Sequence, residues 1–356
     1  MRIFAWYNNF VSAQLKIRFE EKVCADNKFQ WDGGSMKDMQ ENAGIKLFAL
    51  NSNQELAEKI AEEMGVELCD ASVKHFSDGE IQININESVR GDDVFIIQSI
   101  SDPVNENFME LMVMMDALRR ASAGSINAVI PYYGYARADR KARSREPITA
   151  KLIANFISLA GADRVVTLDL HAGQLQGFFN IPVDHLLAIY TQAHYFKESG
   201  IADDVVVVAP DHNSVKLARN LAELLKAPIA IVDKRDAARV DEADIIGDVK
   251  GHKCIVFDDL IDTGGKMVDA ATALHAAGAT KIYACATHPI FSGNAVKELV
   301  ASAYDEVVVT DTIAISEEKQ FDKLRVLSVA PIFAKAISLI YHNQSVDALF
   351  DKSDSI

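Results

Sequence analysis

The sequence has few cysteines, a deficit of positive charge and no long apolar run. Its four cysteines, at positions 24, 69, 254 and 285, form neither a Cys-x-x-Cys pair nor a zinc-ligand spacing, which favours buried thiols in a reducing compartment. Lys and Arg number 36 against 51 Asp and Glu, and the net charge of −15 excludes a general binder of nucleic acid. No apolar segment approaches the ~20 residues that span a membrane. The composition therefore predicts a cytoplasmic protein that binds neither nucleic acid nor membrane, although a local basic pocket is enough to bind a nucleotide.

At 356 residues the chain is long enough for about two globular domains, but residues 1–44 differ from the rest. They mix aromatic, amide and charged residues with no sustained period, whereas clear strand and helix patterns begin at Ile45. A Gly-Gly-Ser segment lies just before Met36, and two glycine codons can contain a bacterial ribosome-binding sequence. We therefore hypothesise that residues 1–35 are a misplaced gene start and that translation begins at Met36. A genuine disordered tail is the alternative.

From residue 45 onward, apolar runs typical of strands alternate with amphipathic helical segments. Most of the runs are continuously apolar, as in parallel strands that helices cover on both faces. Repeated strand–helix units predict an α/β fold with mainly parallel sheets and right-handed crossovers. Ligands of such sheets bind at the carboxyl ends of the strands. The predicted strands are 45–50, 81–85, 94–99, 126–132, 165–171, 205–210, 228–234, 254–260, 282–288 and 306–312, and the predicted helices include one capped by Asn53 and those at 104–121, 147–160, 213–226 and 265–277.

Three of these strands end in polar clusters. One ends in Asp169-Leu170-His171, a second in Pro210-Asp211-His212, and a third in Asp258-Asp259. A single residue of this kind is most often a satisfied cap or turn residue, but three such ends in one half of the chain favour a ligand site. Imidazole and carboxylate together suit a divalent cation, and Mg²⁺ prefers oxygen ligands that it shares with substrate phosphates.

The run 254–265 is the sharpest motif in the chain. It joins an apolar strand to two adjacent carboxylates and then to a Thr-Gly-Gly turn that opens a helix. Glycines let backbone N–H groups close around a phosphate, and a helix N-terminus adds favourable partial positive charge. The adjacent carboxylates can accept hydrogen bonds from vicinal sugar hydroxyls. This arrangement suits a ribose 5-phosphate pocket, and its residues resemble the phosphoribosyltransferase fingerprint.

A basic loop and a basic strand end point to a polyphosphate ligand. Five cations fall within positions 137–145 of an otherwise acidic chain, after a Tyr-Tyr-Gly-Tyr segment and before Pro147. A solvated basic face is the alternative, but the flanking residues favour an ordered loop whose arginines can bind phosphate in a bidentate manner. Lys234 and Arg235 add a second pair of cations at a strand end, followed by a polar segment that we interpret as a mobile lid.

Together these motifs resemble the ribose-phosphate pyrophosphokinase family over about residues 45–350. The resemblance implies two tandem phosphoribosyltransferase-like domains, one at 45–188 with a C-terminal tip at 341–350 and the other at 189–340. It also implies transfer of the β,γ-diphosphoryl group of ATP to the C1 hydroxyl of ribose 5-phosphate, a step in nucleotide biosynthesis, with Mg²⁺ as cofactor. Members of the family assemble as dimers that build hexamers, in which a neighbouring subunit completes the ATP site. The motifs are F-S-D-G-E at 76–80, Y-Y-G-Y-A-R at 132–137, K-A-R-S-R-E-P-I-T-A-K at 141–151, L-D-L-H at 168–171 and D-D-L-I-D-T-G-G at 258–265.

The same resemblance assigns roles to individual residues. Two are catalytic cations, two are Mg²⁺ ligands, and the remainder bind ATP, ribose 5-phosphate or a regulatory anion between subunits. In that order the residues are Lys234 and Arg235 for catalysis; His171 and Asp211 for Mg²⁺; Asp78, Gly79, Glu80 and Arg137 for ATP; Asp258, Asp259, Asp262, Thr263, Gly264, Gly265 and Lys266 for ribose 5-phosphate; and Ser88, Arg90 and Ser345 for the regulatory anion.

Several residues depart from the family pattern, and they cluster at positions that contact ligands. The lysine in the sugar-phosphate loop either substitutes for the usual hydroxyl or blocks the site. The departures are Ala138 for Gln, Asn213 and Ser214 for two Gly, Asp236 for Arg, Lys266 for Thr and Asp347 for Ser.

Two further hypotheses therefore remain beside an active synthetase. The first is a weakly active or non-catalytic paralogue that co-assembles with a competent synthetase and regulates it. The second is a phosphoribosyltransferase that consumes the product, which shares the sugar-phosphate loop but needs neither the basic loop nor tandem domains.

Overall fold

The computed structural model describes residues 44–233 and 244–350 of the chain. The hypothesis about residues 1–35 and the predicted lid after residue 233 thus fall largely outside the described residues. The first half contains, in order, β1 (Ile45–Ala49), α1 (Gln54–Met64), β2 (Ala71–His75), β3 (Ile81–Ile85), β4 (Asp93–Ile97), α2 (Val104–Arg120), β5 (Ser125–Ile130), α3 (Thr149–Ala160), β6 (Arg164–Leu168), a 3-10 turn (Gly173–Phe178) and β7 (Val183–Leu186).

The second half continues the alternation of strands and helices. It contains α4 (Ile189–Glu198), β8 (Val205–Ala209), α5 (Val215–Leu225), β9 (Ile229–Asp233), β10 (Asp244–Ile246), β11 (Lys253–Ile261), α6 (Gly265–Ala276), β12 (Lys281–Pro289), α7 (Ala295–Ala301), β13 (Glu306–Thr310), a 3-10 turn (Glu317–Lys319), β14 (Leu324–Leu327), α8 (Ala330–Tyr341) and a 3-10 turn (Val346–Phe350).

These strands form two mainly parallel sheets and one hairpin. The first sheet has the order β1-β4-β5-β6-β7 and is parallel throughout. The second has the order β10-β9-β8-β11-β12-β13-β14 and is parallel except for β10, which pairs antiparallel with β9. Strands β2 and β3 form the separate antiparallel hairpin. The predicted α/β class with mainly parallel sheets is confirmed, because crossover helices cover both faces of buried parallel strands.

Helix α1 shows how local sequence determines these boundaries. The side chain of Asn53 accepts a hydrogen bond from the backbone N–H of Leu56 at 3.2 Å, which satisfies one of the free donors of the first turn. Gly65 ends the helix in the left-handed region. Leu56, Ile60 and Met64 are buried against the first sheet, as their spacing predicted. The predicted Asn53 cap is therefore confirmed.

The C-terminal helix α8 packs on the first sheet although it follows the second in sequence. Its residues Phe333 and Ile337 are fully buried in the same cluster as Leu47 of β1 and Leu56 of α1. We expected only residues 341–350 to return to the first unit. The core packing places the whole of α8 there, because its apolar side chains fill the face of the first sheet that α1 leaves uncovered.

Each face of each sheet carries its own apolar core. Helices α2 and α3 cover the opposite face of the first sheet from α1 and α8. On the second sheet, α6 and α7 lie on one face and α4 and α5 on the other. Cys254 and Cys285 are buried free thiols in these cores, as predicted, whereas Cys69 is a free thiol that is only partly buried, and Cys24 lies outside the described residues. Across residues 44–233 and 244–350, no helix is long and apolar enough to cross a membrane.

Polar contacts join the two halves near the ends of their strands. The hydroxyl of Ser99 donates to the carbonyl of Thr312 at 2.6 Å, and Asn53 donates its side-chain amide to the carbonyl of Asp311 at 2.7 Å. All four residues are buried. Buried hydrogen bonds of this kind are costly to break, because each unpaired group loses its partner without regaining water. They hold the ends of strands from both sheets next to one another.

Candidate active site

The polar clusters after β6 and at the end of β11 meet across the two halves. His171 Nδ1 lies 2.6 Å from Asp259 Oδ2, although the residues are 88 positions apart in sequence. The hydrogen bond to Asp259 raises the pKa of His171. Burial alone would raise the pKa of Asp259, but the hydrogen bond and charge of His171 outweigh that effect and lower it. The predicted convergence of polar strand ends is therefore present at these two residues.

The His171–Asp259 contact also sets which imidazole nitrogen is free. Because Nδ1 donates to the carboxylate of Asp259, the lone pair of the neutral ring lies on Nε2. A carboxylate behind a histidine is the usual support for a metal-ligating imidazole. This geometry fits the predicted role of His171 as a ligand of a divalent cation.

Asp211 follows β8 and lies beside Asp258 of β11. Its Oδ1 accepts the backbone N–H groups of Asn213 at 2.8 Å and Ser214 at 3.0 Å. Its other oxygen, Oδ2, lies 2.9 Å from the ammonium of Lys266. Burial would raise the pKa of Asp211, but Lys266 outweighs that effect and lowers it. The turn after β8 therefore saturates one oxygen of Asp211 and directs the other to a cation.

These residues fit Mg²⁺ as a shared ligand set rather than as a closed cage. Within residues 44–233 and 244–350, no group of three or more His, Cys, Asp or Glu side chains encloses a metal position. Mg²⁺ does not need such a cage, because it usually keeps several waters and binds one or two protein oxygens together with substrate phosphates. The Nε2 atom of His171 and a carboxylate oxygen of Asp211 are suitable donors for that purpose.

The Thr-Gly-Gly turn between β11 and α6 has the predicted form. Gly264 precedes the first residue of α6 with φ of +82°, a left-handed conformation that favours glycine. No side chain caps α6, so its first N–H groups are available to an anion. The prediction of a strand, an acidic pair and a glycine turn that opens a helix is confirmed.

Arg137 of the basic loop reaches this turn from the other half of the chain. Its Nη1 lies 2.6 Å from Asp262 Oδ2. Asp262 also accepts a hydrogen bond from the hydroxyl of Ser292 through its other oxygen. Burial alone would raise the pKa of Asp262, but the hydrogen bonds from Ser292 and Arg137 outweigh that effect, so the pKa is lowered. The structure thus joins a residue predicted to bind ATP to a residue predicted to bind ribose 5-phosphate.

The base of the basic loop is anchored and its cations are exposed. Tyr132 and Tyr133 are buried, and the hydroxyl of Tyr133 donates to the carbonyl of Ala150 at 3.0 Å. The cations beyond Arg137 lie at the surface: Arg140, Lys141, Arg143 and Arg145. An anchored loop that carries free cations suits a polyphosphate better than a diffuse basic face does.

Lys266 lies against carboxylates rather than in solution. Its ammonium is 2.7 Å from Asp258 Oδ2 and 2.9 Å from Asp211 Oδ2. Burial lowers the pKa of Lys266, but the attraction of the two carboxylates outweighs it and raises the value. Burial and the repulsion of Asp259 raise the pKa of Asp258 despite the nearby ammonium. The predicted contact of Lys266 with the sugar phosphate stays a prediction.

Other predicted site residues lie apart from this cluster. Asp78, Gly79 and Glu80 form the exposed turn between β2 and β3, where the Asp78 side chain accepts from the Glu80 N–H at 3.1 Å. No hydrogen bond or ion pair between described residues joins this turn to the cluster. The three predicted regulatory residues are also exposed, so their roles stay predictions: Ser88, Arg90 and Ser345. Thr263 is likewise exposed, at the mouth of the Thr-Gly-Gly turn.

The two predicted catalytic cations, Lys234 and Arg235, lie outside the described residues, as does Asp236. Strand β9 ends immediately before them at Asp233, whose Oδ1 lies 3.0 Å from His212 Nε2. The departure Ala138 is partly buried in the basic loop. The roles of Lys234, Arg235 and Asp236 therefore remain predictions.

A polar connection that was not predicted from the sequence lies beneath the site. Asp169 accepts the hydroxyl of Thr287 at 2.6 Å, and its backbone carbonyl lies 3.1 Å from His288 Nε2. Burial raises the pKa of Asp169 to about 6 and lowers the pKa of His288 to about 4. Thr287 and His288 end the apolar strand β12, so the rule that identified the other three strand ends would have identified this one.

The two parallel sheets and the glycine turn define a protein with two tandem α/β units of the phosphoribosyltransferase type. Two family models match the chain: the N-terminal domain of ribose phosphate pyrophosphokinase at residues 45–161 and the phosphoribosyl synthetase-associated domain at residues 235–351. Together they cover well over half of the chain. The chain belongs to the ribose-phosphate pyrophosphokinase family.

Individual relatives support this assignment. The ribose-phosphate pyrophosphokinase of Listeria ivanovii is 58% identical over 309 residues, which are 86% of this chain and 97% of the relative. The putative ribose-phosphate pyrophosphokinase 2 of Lactiplantibacillus plantarum is 60% identical over 314 residues, 88% of this chain and 98% of the relative. The crystal structure of phosphoribosylpyrophosphate synthetase from Mycobacterium smegmatis is similar with a TM-score of 0.81 and 42% identity, covering 84% of this chain and 99% of that one. The chain is therefore an enzyme of the class that transfers phosphorus-containing groups.

Proposed function

We propose that this enzyme transfers the β,γ-diphosphoryl group of ATP to the C1 hydroxyl of ribose 5-phosphate, giving phosphoribosyl pyrophosphate and AMP. The observation that carries the proposal is the contact of Arg137 with Asp262, which brings a basic loop to a sugar-phosphate turn. The hypothesis of a phosphoribosyltransferase that consumes the product is not favoured, because such an enzyme would need neither tandem units nor a basic loop. The regulatory-paralogue hypothesis is not favoured, because relatives at 58–60% identity are pyrophosphokinases.

The sugar phosphate is the substrate group that the turn at 262–265 would hold. Its 5-phosphate would accept hydrogen bonds from the free N–H groups at the start of α6, where the helix dipole favours an anion. Asp258 and Asp259 would accept hydrogen bonds from the two vicinal hydroxyls of the ribose. Because backbone groups fix this geometry before the substrate arrives, little ordering remains to be done on binding.

ATP would lie between the basic loop and the β2–β3 turn of a neighbouring subunit. Arg137 and the exposed cations after it would bind the triphosphate, while Asp78, Gly79 and Glu80 of the neighbour would contact the nucleotide. His171 and Asp211 would hold Mg²⁺ through Nε2 and a carboxylate oxygen. When bound, Mg²⁺ neutralises charge on the phosphate oxygens and orients them for in-line transfer.

Lys234 and Arg235 would stabilise the charge that develops at the transferred phosphorus. Transfer of this kind depends on positioning and electrostatic stabilisation more than on covalent help, so no side chain needs to form a bond to phosphorus. Asp236 places a carboxylate where an additional cation is usual in the family, and it would oppose that stabilisation. Lys266 would reach the sugar phosphate when its ammonium leaves the carboxylates.

We further propose that the enzyme is cytoplasmic and assembles from dimers into a hexamer. The β2–β3 turn supports assembly, because its residues are exposed and no contact between described residues joins them to the strand-end cluster. Residues 45–188 with α8 and the segment after it would form one domain, and residues 189–329 would form the other. Ser88, Arg90 and Ser345 would bind a regulatory anion between subunits, and co-assembly with a paralogue would change that regulation.

The test is formation of AMP by the purified full-length protein from Mg-ATP and ribose 5-phosphate. We expect one AMP for each phosphoribosyl pyrophosphate formed, and none when ribose 5-phosphate is omitted. The Lys216→Ala variant, which alters an exposed lysine of α5, serves as a control with unchanged activity. Absence of AMP formation from a folded wild-type protein would contradict the proposed function and return the regulatory-paralogue hypothesis.

A further inference from the structure

Two of the residues that depart from the family pattern contact the same pair of carboxylates. Ser214 Oγ lies 2.8 Å from Asp258 Oδ1 and 3.1 Å from Asp211 Oδ1. Lys266 Nζ lies 2.7 Å from Asp258 Oδ2 and 2.9 Å from Asp211 Oδ2. Each departure therefore bridges the two aspartates, one through a hydroxyl and the other through an ammonium. Asp258 and Ser214 are buried, so the bridge is part of the interior of the site.

The ammonium of Lys266 occupies the one oxygen of Asp211 that the turn leaves open. Asp211 Oδ1 already accepts from Asn213 and Ser214, whereas Oδ2 faces Lys266. Asp258 shows the same division, because its Oδ1 accepts from Ser214 and from the Asp259 N–H at 3.1 Å. The open oxygen of each carboxylate thus points to a single positive charge. Two facing carboxylates without a cation would repel one another, and the burial of Asp258 strengthens that repulsion.

We propose that Lys266 is a built-in cation that pairs Asp211 with Asp258 in the metal-free enzyme and competes with a divalent cation for Asp211. The Lys266 side chain is 44% exposed, so it can move into solvent when a divalent cation arrives. The hydroxyl of Ser214 still lies within hydrogen-bond distance of both carboxylates. The inference rests on the proposed function only for the identity of the divalent cation as Mg²⁺.

The proposal predicts that removal of Lys266 lowers the stability of the metal-free protein and raises its affinity for a divalent cation. With Lys266 present, one of the two negative charges is balanced without metal, so the melting temperature depends only weakly on Mg²⁺. Without it, the same pair becomes a stronger cation site and the metal-free protein loses stability. A lysine that served only the substrate phosphate would change neither quantity in the absence of substrate.

The experiment measures Mn²⁺ binding by electron paramagnetic resonance, with full-length protein and neither nucleotide nor sugar present. We expect Lys266→Thr to bind Mn²⁺ about tenfold tighter or more than the wild type, a difference of about 1.4 kcal/mol. Lys281→Thr is the matched control, because Lys281 pairs with the single carboxylate of Asp305 at 3.2 Å outside this cluster. Its Mn²⁺ affinity should equal that of the wild type.

A second measurement is the melting temperature in EDTA and in Mg²⁺. We expect Lys266→Thr to melt below the wild type in EDTA and to recover with Mg²⁺, whereas the wild type and Lys281→Thr change little. Lys266→Met keeps the aliphatic length without the charge and gives the same comparison if threonine prevents folding.

Equal Mn²⁺ affinities in wild type and variant, including no measurable binding in either, would overturn the inference. So would an unchanged Mn²⁺ affinity accompanied by weaker ribose 5-phosphate binding, which would assign Lys266 to the substrate phosphate instead. Failure of the proposed function is a separate result, because it appears as absence of AMP formation and leaves the Mn²⁺ comparison intact.

Discussion

Arg137 of the basic loop and Asp262 of the Thr-Gly-Gly turn form an ion pair of 2.6 Å, although they are 125 residues apart in sequence. The Arg137 side chain is 51% exposed and that of Asp262 is 26% exposed. An exposed pair of this kind contributes only about 0–1 kcal/mol to stability. Its importance is therefore positional, because it fixes two segments that we propose to bind substrates, from different halves of the chain, relative to each other.

We expect Arg137→Gln to raise the KM for both ATP and ribose 5-phosphate by about tenfold, because both segments lose the contact that fixes their relative position. Arg120→Gln is the matched control: Arg120 pairs with Asp116 at the same 2.6 Å on the surface of α2. Steady-state kinetics and melting temperatures on both variants check the prediction. A change in the KM of ATP alone would show that Arg137 does not position the sugar turn.

Lys234 should carry the largest single contribution to turnover. Removing a preorganised charge that acts on the transition state typically costs about 10²–10³ in rate, so we expect Lys234→Ala to lose at least that much without a change in melting temperature. Asp236→Arg should raise turnover, because it replaces a repelling carboxylate with a group that pairs with phosphate. The Lys216→Ala variant controls for loss of a lysine elsewhere. Equal residual AMP formation in wild type and Lys234→Ala would show that Lys234 is not catalytic.

Activation by phosphate should be weak in this enzyme because Asp347 stands where the family pattern has serine. Asp347 is exposed, and its N–H donates to the Ser345 hydroxyl at 3.1 Å. A carboxylate about 4 Å from a bound anion costs about 1–4 kcal/mol at effective dielectric constants between those of water and a protein surface. We expect Asp347→Ser to shift the phosphate activation curve to lower phosphate, whereas Asp322→Ser, also on the surface, should not. Superimposable curves for wild type and Asp347→Ser would contradict the prediction.

His288 should contribute a loss of stability as the pH decreases from about 6.5 to 4, whereas Asp169, whose pKa burial raises to about 6, acts in the opposite direction. The His288 side chain is 3% exposed, and burial lowers its pKa from 6.5 to about 4. Across that window the unfolded chain binds the proton that the folded protein excludes. His288 therefore lowers the free energy of unfolding as the pH decreases, by on the order of 2–3 kcal/mol. His288→Gln should lose most of this slope, while His275→Gln at an exposed position should keep it. Thermal melts across the window measure the difference, and parallel slopes for His288→Gln and wild type would be the contrary outcome.

Most strands and their order of appearance could be predicted because buried parallel strands are continuous apolar runs. The strand predicted at 254–260 is observed at Lys253–Ile261, and the helix predicted at 265–277 is observed at Gly265–Ala276. The helix predicted from Pro147 instead begins at Thr149, since Ile148 keeps a non-helical backbone. Short elements such as β7 and β14 were not predicted, because four residues give too little periodicity to distinguish a strand from a loop.

Contacts between distant segments could not be predicted in the same way. Periodicity identifies which face of α8 is apolar, but not that the face belongs on the first sheet. The contact of Lys266 with Asp211 depends on how β8 and β11 pair, and that register is a property of the folded sheet. The sequence was enough to predict which residue types form the site and that they lie at strand ends. Which side chains contact one another could be seen only in the structure.

The most direct test of the central claim is ³¹P nuclear magnetic resonance of the reaction of Mg-ATP with ribose 5-phosphate. We expect the β- and γ-phosphates of ATP to leave together and appear as a diphosphate on C1 of the sugar, with AMP as the other product in equal amount. Formation of ADP with a singly phosphorylated C1, or no change in the ATP signals with folded protein, would contradict it.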